Sequence, residues 1–175
     1  VYGASQVIFR KNVRGSHCKN AASFFFREGI MRAVIQRVRH TSLCVDGKLI
    51  SEIEGGLAVY LGIAPQDTEK NAEAMAKKIA NLRIFEDEQG KMNLSVQQSG
   101  GEILLISQFT LYGDCMHGNR PSFIGAARPE HAAPLYEYTA ECLRRLGVIV
   151  KTGVFGADMK IEQYNDGPVT ILYEC

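Results

Sequence analysis

Leu57-Ala58-Val59-Tyr60-Leu61-Gly62-Ile63 runs without a charge or a break in apolar character. A strand with one wet face alternates, so an unbroken run of this kind reads as a strand covered on both faces. Upstream, residues 33–38 read as a strand. Leu43-Cys44-Val45 and Leu49-Ile50 flank Asp46-Gly47, a strong hairpin signal. The first third of the folded region is therefore a small sheet. Downstream, Ala72, Met75, Ala76, Ile79 and Ala80 fall at i, i+3, i+4, i+7 and i+8, which predicts an amphipathic helix over 67–82, starting near Asp67 or Thr68. A second helix is predicted from Glu130 to Leu146, with Ala132, Leu135, Thr139, Cys142, Leu143 and Leu146 on one stripe and Pro129 or Pro134 in its opening turn. Strands are expected near 82–85, 92–96 and 103–112, then at 148–151, 159–164 and 169–173. Many strands with few helical crossovers give an α+β domain whose sheet is mostly antiparallel and curls toward a barrel, with two main helices.

At 175 residues, 46% hydrophobic and 22% charged, the chain has the size and composition of one globular domain. No apolar run approaches the roughly 18 residues a membrane helix needs, so the reading is a soluble chain with no membrane partner. Cys18, Cys44, Cys115, Cys142 and Cys175 are scattered and odd in number, without a C-x-x-C pair. That argues against a disulfide framework and a cysteine-rich zinc site, and for a reducing, cytoplasmic setting. The net charge of +1 hides an asymmetry. Residues 1–30 hold five Lys/Arg against one acid, a net +4, and the remainder holds 15 basic and 18 acidic residues, a net −3. A mildly acidic body is not built to grip nucleic acid along its phosphates at large. Residues 1–30 are basic, nearly acid-free and aperiodic, and read as a non-catalytic leader: upstream or cloning-derived sequence, or a transit remnant that would direct the chain to an organelle. The folded domain is expected at 31–175.

His17, His40, His117 and His131 show neither H-E-x-x-H nor H-x-H spacing, so no metal is expected. No phosphate-binding loop of the G-x-x-x-x-G-K-[ST] type and no G-x-G-x-x-G after a strand are present, and no nucleotide cofactor is implied. Ser107, His117 and Asp114 make a triad on paper, but no G-x-S-x-G elbow surrounds the serine. His117 reads as a solvated loop residue.

More informative is Ser107-Gln108-Phe109-Thr110-Leu111-Tyr112, where consecutive polar side chains end the apolar stretch Ile103-Leu104-Leu105-Ile106. Polar groups at the end of a buried strand must be hydrogen-bonded or exposed, so the segment reads equally as a half-exposed edge strand or as a site. Asn165-Asp166-Gly167-Pro168-Val169-Thr170 is a turn composition between apolar runs. With the opening "MRAVIQRV", the segment "NLRIFEDEQGKMN", the loop "GNRPSF" and "GVFGADM", these stretches resemble the D-aminoacyl-tRNA deacylase family from Met31 to the end of the chain, specifically in combination, order and spacing.

The resemblance implies that fold and an enzyme that hydrolyses the ester joining a D-amino acid, or glycine, to the 3′-terminal adenosine of tRNA. It also implies a homodimer with active sites at the subunit interface, and no cofactor. The family's Gly-cis-Pro motif falls on Gly167-Pro168, whose carbonyls would enter the partner's pocket and exclude L-substrates sterically. Its SQ-x-T motif falls on Ser107, Gln108, Phe109 and Thr110. Backbone N–H groups of Phe109 and Thr110 would stabilise the oxyanion, and Gln108 would position the ester or the adenosine. Thr110 is either a nucleophile or a binding and structural residue beside water attack assisted by the ribose 2′-OH; no His, Lys or terminal amine stands near it in sequence to activate it, which favours the second. Asn165 belongs to the substrate side with Gly167 and Pro168. Met159 packs near the adenine or is ordinary core. Where many relatives carry basic residues before "GNRPSF", Cys115-Met116-His117 leave Arg120 as the nearby permanent cation. The competing readings are an editing deacylase of altered specificity, for L-alanine or glycine on mischarged tRNA, and a non-catalytic nucleic-acid-binding module.

Overall fold

The computed structural model describes residues 30–175; the leader expected at 1–30 lies, apart from Ile30, outside them. The elements run β1 (Arg32–Val45), β2 (Lys48–Ile53), β3 (Gly56–Gly62), α1 (Glu69–Asn81), β4 (Phe85–Glu86), β5 (Met92–Leu94), β6 (Glu102–Ser107), a 3-10 turn (Phe109–Tyr112), α2 (Pro129–Arg145), β7 (Val150–Thr152) and β8 (Lys160–Glu174). In the main sheet the order is β2-β1-β3-β6-β7, with β8 on the other side of β1, while β4 and β5 form a small separate ribbon. Pairings of β1 with β2, β3 and β8 are antiparallel; β3 with β6 and β6 with β7 are parallel. The sheet is thus mixed, more antiparallel than parallel. It curls until β2 meets β7, where Ser51 Oγ donates to Thr152 O at 2.7 Å and Lys151 Nζ to Glu52 O at 2.6 Å.

The apolar run at 57–63 holds the centre as expected. Leu57, Val59 and Leu61 face the helices in one buried cluster with Ile35, Ile103 and Leu105, while Ala58 joins Val38, Leu43, Leu104 and Ile106 in a second cluster inside the curl. Burying both faces is what removes the alternation from the sequence. Ala72, Met75, Ala76, Ile79 and Ala80 are the buried stripe of α1. Before it, buried Asp67 accepts the Ala64 N–H at 2.6 Å; burial raises its carboxyl pKa and the Ala64 amide pulls it back. In α2, Pro129 sits in the first turn, where no N–H is needed, and Pro134 lies further inside the helix than expected.

Three expectations change. Residues 33–38 and 43–45 belong to one bent strand, β1. The stretch 159–173 is likewise one strand, β8, with an excursion at Gly167-Pro168 rather than a break. The strand expected over 103–112 ends at Ser107, because the chain turns there into the 3-10 segment. Among the described residues no helix is long and apolar enough to cross a membrane, and the four described cysteines are free.

The junction of β3 with β6 depends on Gly56, whose φ is +141° and where a Cβ would lie 1.9 Å from Glu102 O. Gly56→Ala is expected to cost more than about 3 kcal/mol, the upper range for overpacking, because the obstacle is the Glu102 backbone, which cannot swing aside. Gly55→Ala next to it, whose Cβ would come no nearer than 3.8 Å to anything, is expected to change stability by less than about 1 kcal/mol. Urea unfolding of the two variants checks this; equal midpoints would contradict the packing account.

Candidate active site

Beyond the tip of β6 lies a cavity of about 810 Å³ whose wall is largely apolar, including Leu61, Ile63, Ile106, Phe123, Phe155 and Met159. Ser107 ends β6 opposite Leu61, and the Gln108 N–H donates to Leu61 O at 2.8 Å before the chain leaves the sheet. The following turn is clamped from beneath. Tyr112 is buried, its hydroxyl donates to Ile30 O at 2.8 Å, and the Arg32 guanidinium lies 4.7 Å from its ring centre while Arg32 Nη1 donates to Leu111 O at 2.9 Å. Burial pushes the Tyr112 hydroxyl pKa up, so it stays a neutral donor. Leading N–H groups of a helical turn have no partner within it, and among the described residues those of Phe109 and Thr110 find no protein acceptor. Two backbone donors without a protein acceptor therefore stand together, Phe109 in the wall of an apolar cavity and Thr110 next to it.

Side-chain chemistry at the rim is sparse. The Gln108 amide donates to the Thr110 hydroxyl, and no His, Lys or carboxylate among the described residues hydrogen-bonds that hydroxyl. Nor does any hydrogen bond join Ser107, Asp114 and His117; the Asp114 carboxylate instead accepts the Met116 N–H at 2.8 Å. Phe109 is 57% exposed and meets Phe123 edge-on, with centroids 5.2 Å apart at 74°. Met159 is both core and wall: it packs against the cluster inside the curl, its sulfur standing 2.6 Å from where a Gly153 Cβ would be, and it lines the cavity.

The cavity wall thus unites Ser107, Gln108, Phe109 and Met159, with Thr110 bonded to Gln108 beside them. It does not include Asn165, Gly167, Pro168 or Arg120. The peptide between Gly167 and Pro168 is cis, and both residues are exposed. Gln36 pairs with Thr170 and Val38 with Asn165, so 166–169 bulge out opposite Arg37 alone. Asp166 fastens the bulge: its carboxylate lies 3.0 Å from Arg37 Nε, an ion pair without hydrogen-bond alignment, and accepts from Arg39 Nε at 3.0 Å. Arg37 is buried and donates from Nη1 to Ile84 O at 2.7 Å. The Asn165 side chain accepts from the Gln163 amide, which also reaches Gln36. Arg120 stands exposed in the loop closed by the Asp114–Ser122 bridge.

Sequence reasoning missed the aromatic wall of Phe123 and Phe155, the Arg37–Asp166 clamp, and Arg128, which lines the cavity at the start of α2. Phe123, Phe155, Asp166 and Arg37 lie within stretches already singled out, though without a role; nothing in the pattern marked Arg128. Away from the cavity, His40, Glu52 and Glu54 bring their ligand atoms within 4.8 Å of one another, and His40 Nε2 lies 2.7 Å from Glu52 Oε1.

Residues 34–174 match the family described as D-Tyr-tRNA(Tyr) deacylase. A D-aminoacyl-tRNA deacylase of Brevibacillus brevis is 56% identical over 144 residues, covering 82% of this chain and 99% of that protein. The D-aminoacyl-tRNA deacylase of Thermus aquaticus is 54% identical, covering 82% and 95%. Among solved structures, the c-Myc DNA Unwinding Element Binding Protein superposes with a TM-score of 0.78 at 46% identity, over 82% of this chain and 98% of that one. A probable eukaryotic D-amino acid tRNA deacylase gives 0.72 at 18% identity, over 83% and 100%, a likeness of fold. With its motifs intact on that fold, the chain belongs to the D-Tyr-tRNA(Tyr) deacylase family.

Proposed function

We propose that the protein hydrolyses the ester between a D-amino acid, or glycine, and the 3′-terminal adenosine of tRNA, releasing the free amino acid and tRNA as a chiral proofreading step in translation, in the cytoplasm and without a cofactor. The observation that carries this is the pair of N–H groups without a protein acceptor at Phe109, in the wall of an apolar cavity, and at Thr110 beside it. An ester carbonyl is neutral and becomes an oxyanion only on attack, so fixed donors favour the transition state over the substrate; losing one donor typically costs about 10²–10³ in rate. The attacking group is water. The Thr110 hydroxyl receives a hydrogen bond from a neutral amide and has no base to take its proton, so the substrate's own 2′-OH is the group left to assist the water. The acidic body, net −3 over residues 31–175, and the donor pair favour this over a nucleic-acid-binding module.

Selectivity is assigned to the Gly167-Pro168 bulge acting on a second copy of the chain. Both residues are exposed and absent from their own cavity wall, and among the described residues β8, fifteen residues long, pairs on one side only. A long open edge of this kind calls for a partner, and a closed two-fold dimer supplies one. Backbone carbonyls pressed toward the chiral centre admit a hydrogen there and reject a side chain, which excludes L-substrates and passes glycine. Of residues 1–30, only Ile30, whose carbonyl anchors the Tyr112 hydroxyl, is assigned a part in this.

Four outcomes are expected. Thr110→Ala keeps its single-turnover rate on D-Tyr-tRNA within about tenfold, whereas wild type on a 2′-deoxy substrate loses at least the roughly 10²-fold typical of general acid–base assistance; a trapped aminoacyl-Thr110 ester would overturn the water mechanism. Gly167 has φ +116° and no room for a Cβ, which would lie 2.9 Å from Val169 Cγ2. Gly167→Ala is therefore expected to displace the bulge and to lose D-Tyr-tRNA hydrolysis or its preference over L-Tyr-tRNA, with thermal unfolding as the control for folding; a variant as fast and as selective as wild type would refute the role of the bulge. Light scattering is expected to give a dimer mass, and an active monomer would remove the cross-subunit assignment. Removal of residues 1–29 is expected to leave the rate unchanged, and a severalfold fall with folding intact would make them part of the enzyme.

A further inference from the structure

We infer that Arg128 is a substrate-positioning residue that takes a backbone phosphate of the tRNA 3′-terminal strand while the cavity takes the terminal nucleoside. Among the described residues, one basic and one acidic side chain line the cavity, Arg128 and Asp158. Asp158 is already paired, with Lys160 Nζ 2.9 Å from its Oδ2 and 3.2 Å from its Oδ1. Among the described residues the Arg128 guanidinium has no hydrogen bond and no ion pair, so the net unpaired charge facing the cavity is one cation.

Its mounting is rigid although its side chain is free. Ala127 N–H donates to Ile63 O at 2.9 Å, tying the segment to the end of β3. Arg128 O accepts from His131 N at 3.0 Å and from Ala132 N at 2.9 Å, and Pro129 fixes the next backbone angle. The root of the side chain is thus pinned between sheet and helix at the mouth of the cavity, and the exposed guanidinium needs no pairing broken before it binds.

The chemistry of the substrate then selects what it meets. The ligand's aminoacyl end carries an ammonium, which a guanidinium repels, and its adenosine is neutral; the phosphodiesters leading to the terminal nucleoside are its anions. Arg recognises phosphate through paired N–H donors. The need is local: Cys115-Met116-His117 leave Arg120 as the permanent cation of the neighbouring loop, and Arg120 does not line the cavity.

This assignment rests on the proposed aminoacyl-tRNA activity, so the test uses two substrates: D-Tyr-tRNA, and the ester of D-tyrosine with adenosine alone, which has no phosphate. Steady-state kinetics of wild type, Arg128→Ala, Arg128→Glu and Arg128→Lys are compared at several salt concentrations, with thermal unfolding confirming that each variant folds. On D-Tyr-tRNA, Arg128→Ala is expected to raise KM about tenfold, as for one lost charge-assisted hydrogen bond, with kcat nearly unchanged. Arg128→Glu is expected to raise KM further and Arg128→Lys to restore part of the loss. The fall of log(kcat/KM) with log[salt] is expected to flatten by about 0.7, one single-strand phosphate contact. The KM penalty is expected to vanish on the phosphate-free ester. An equal penalty on both substrates, or none on D-Tyr-tRNA, would overturn the phosphate contact while leaving the activity intact. Wild type inert on both would instead refute the activity, and the assignment with it.

Discussion

One strand is shared between two cores, and the rest of the molecule follows from that constraint. β1 is hydrogen-bonded to β8 along nearly its whole length, and on its other side first to β3 and then to β2. Ala33 and Ile35 face the helices, whereas Val38 and Leu43 lie in the cluster inside the curl. Strict alternation would put residue 43 on the same face as residues 33 and 35. The phase must therefore flip between 38 and 43, where the β1–β8 register shifts at Val38/His40. A bulge does this by bending the strand and adding twist, and the bend lets one sheet lie under two helices at one end and wrap toward a barrel at the other.

A separate register shift, between Gln36 and Val38, places the Gly167-Pro168 bulge. Opposite Arg37, β8 extrudes four residues without losing the pairing on either side, from Thr170 onward and from Asn165 back. Exposed turn residues in a sheet would ordinarily move. Here the bulge is moored by one carboxylate to two arginines of β1, one of them buried and bonded to the Ile84 carbonyl. Burying a charge without a partner is costly, so Asp166 and Arg37 hold each other, and the position of Gly167-Pro168 is tied to the core of β1. The shift at Val38/His40 that bends β1 and the gap opposite Arg37 that holds Gly167-Pro168 are thus neighbours on one strand.

Legibility in the sequence divided along the range of the interaction. The run at 57–63, the α1 stripe and the 46–47 hairpin are set by neighbours a few residues apart, and their periodicities appear directly in the chain. The end of β6 was misplaced by five residues because Phe109-Thr110-Leu111-Tyr112 alternates passably as strand. What turns it is tertiary: the Tyr112 hydroxyl on Ile30 O and Arg32 on Leu111 O, contacts from about 80 positions away. The 159–173 stretch was split because Gly and Pro locally signal an end, and only the β1 pairing on both flanks makes it continuous. Arg128 was invisible for the same reason. Its setting is the cavity it lines, whose wall is assembled from β3, β6, α2, β8 and the loops between them.

The electrostatics of the site fit an enzyme that must find one end of a polyanion and let it go. A protein that neutralised many phosphates would bind any tRNA, or any nucleic acid, with an affinity set by charge and salt. The acidic body removes that option, at net −3 over residues 31–175. What is left to a substrate is an apolar cavity with aromatic edges, two backbone donors at its rim and one unpaired guanidinium at its mouth. In the proposed reading each answers a different part of the same ligand: nucleoside, ester carbonyl and phosphate. None of the three groups discriminates between D and L. In the arrangement proposed here chirality is decided by main-chain carbonyls rather than by a side-chain pocket, so the filter does not depend on which amino acid is attached. A selector that tests only the Cα substituents can serve every D-aminoacyl ester with one site, and by the same logic has no means of refusing glycine.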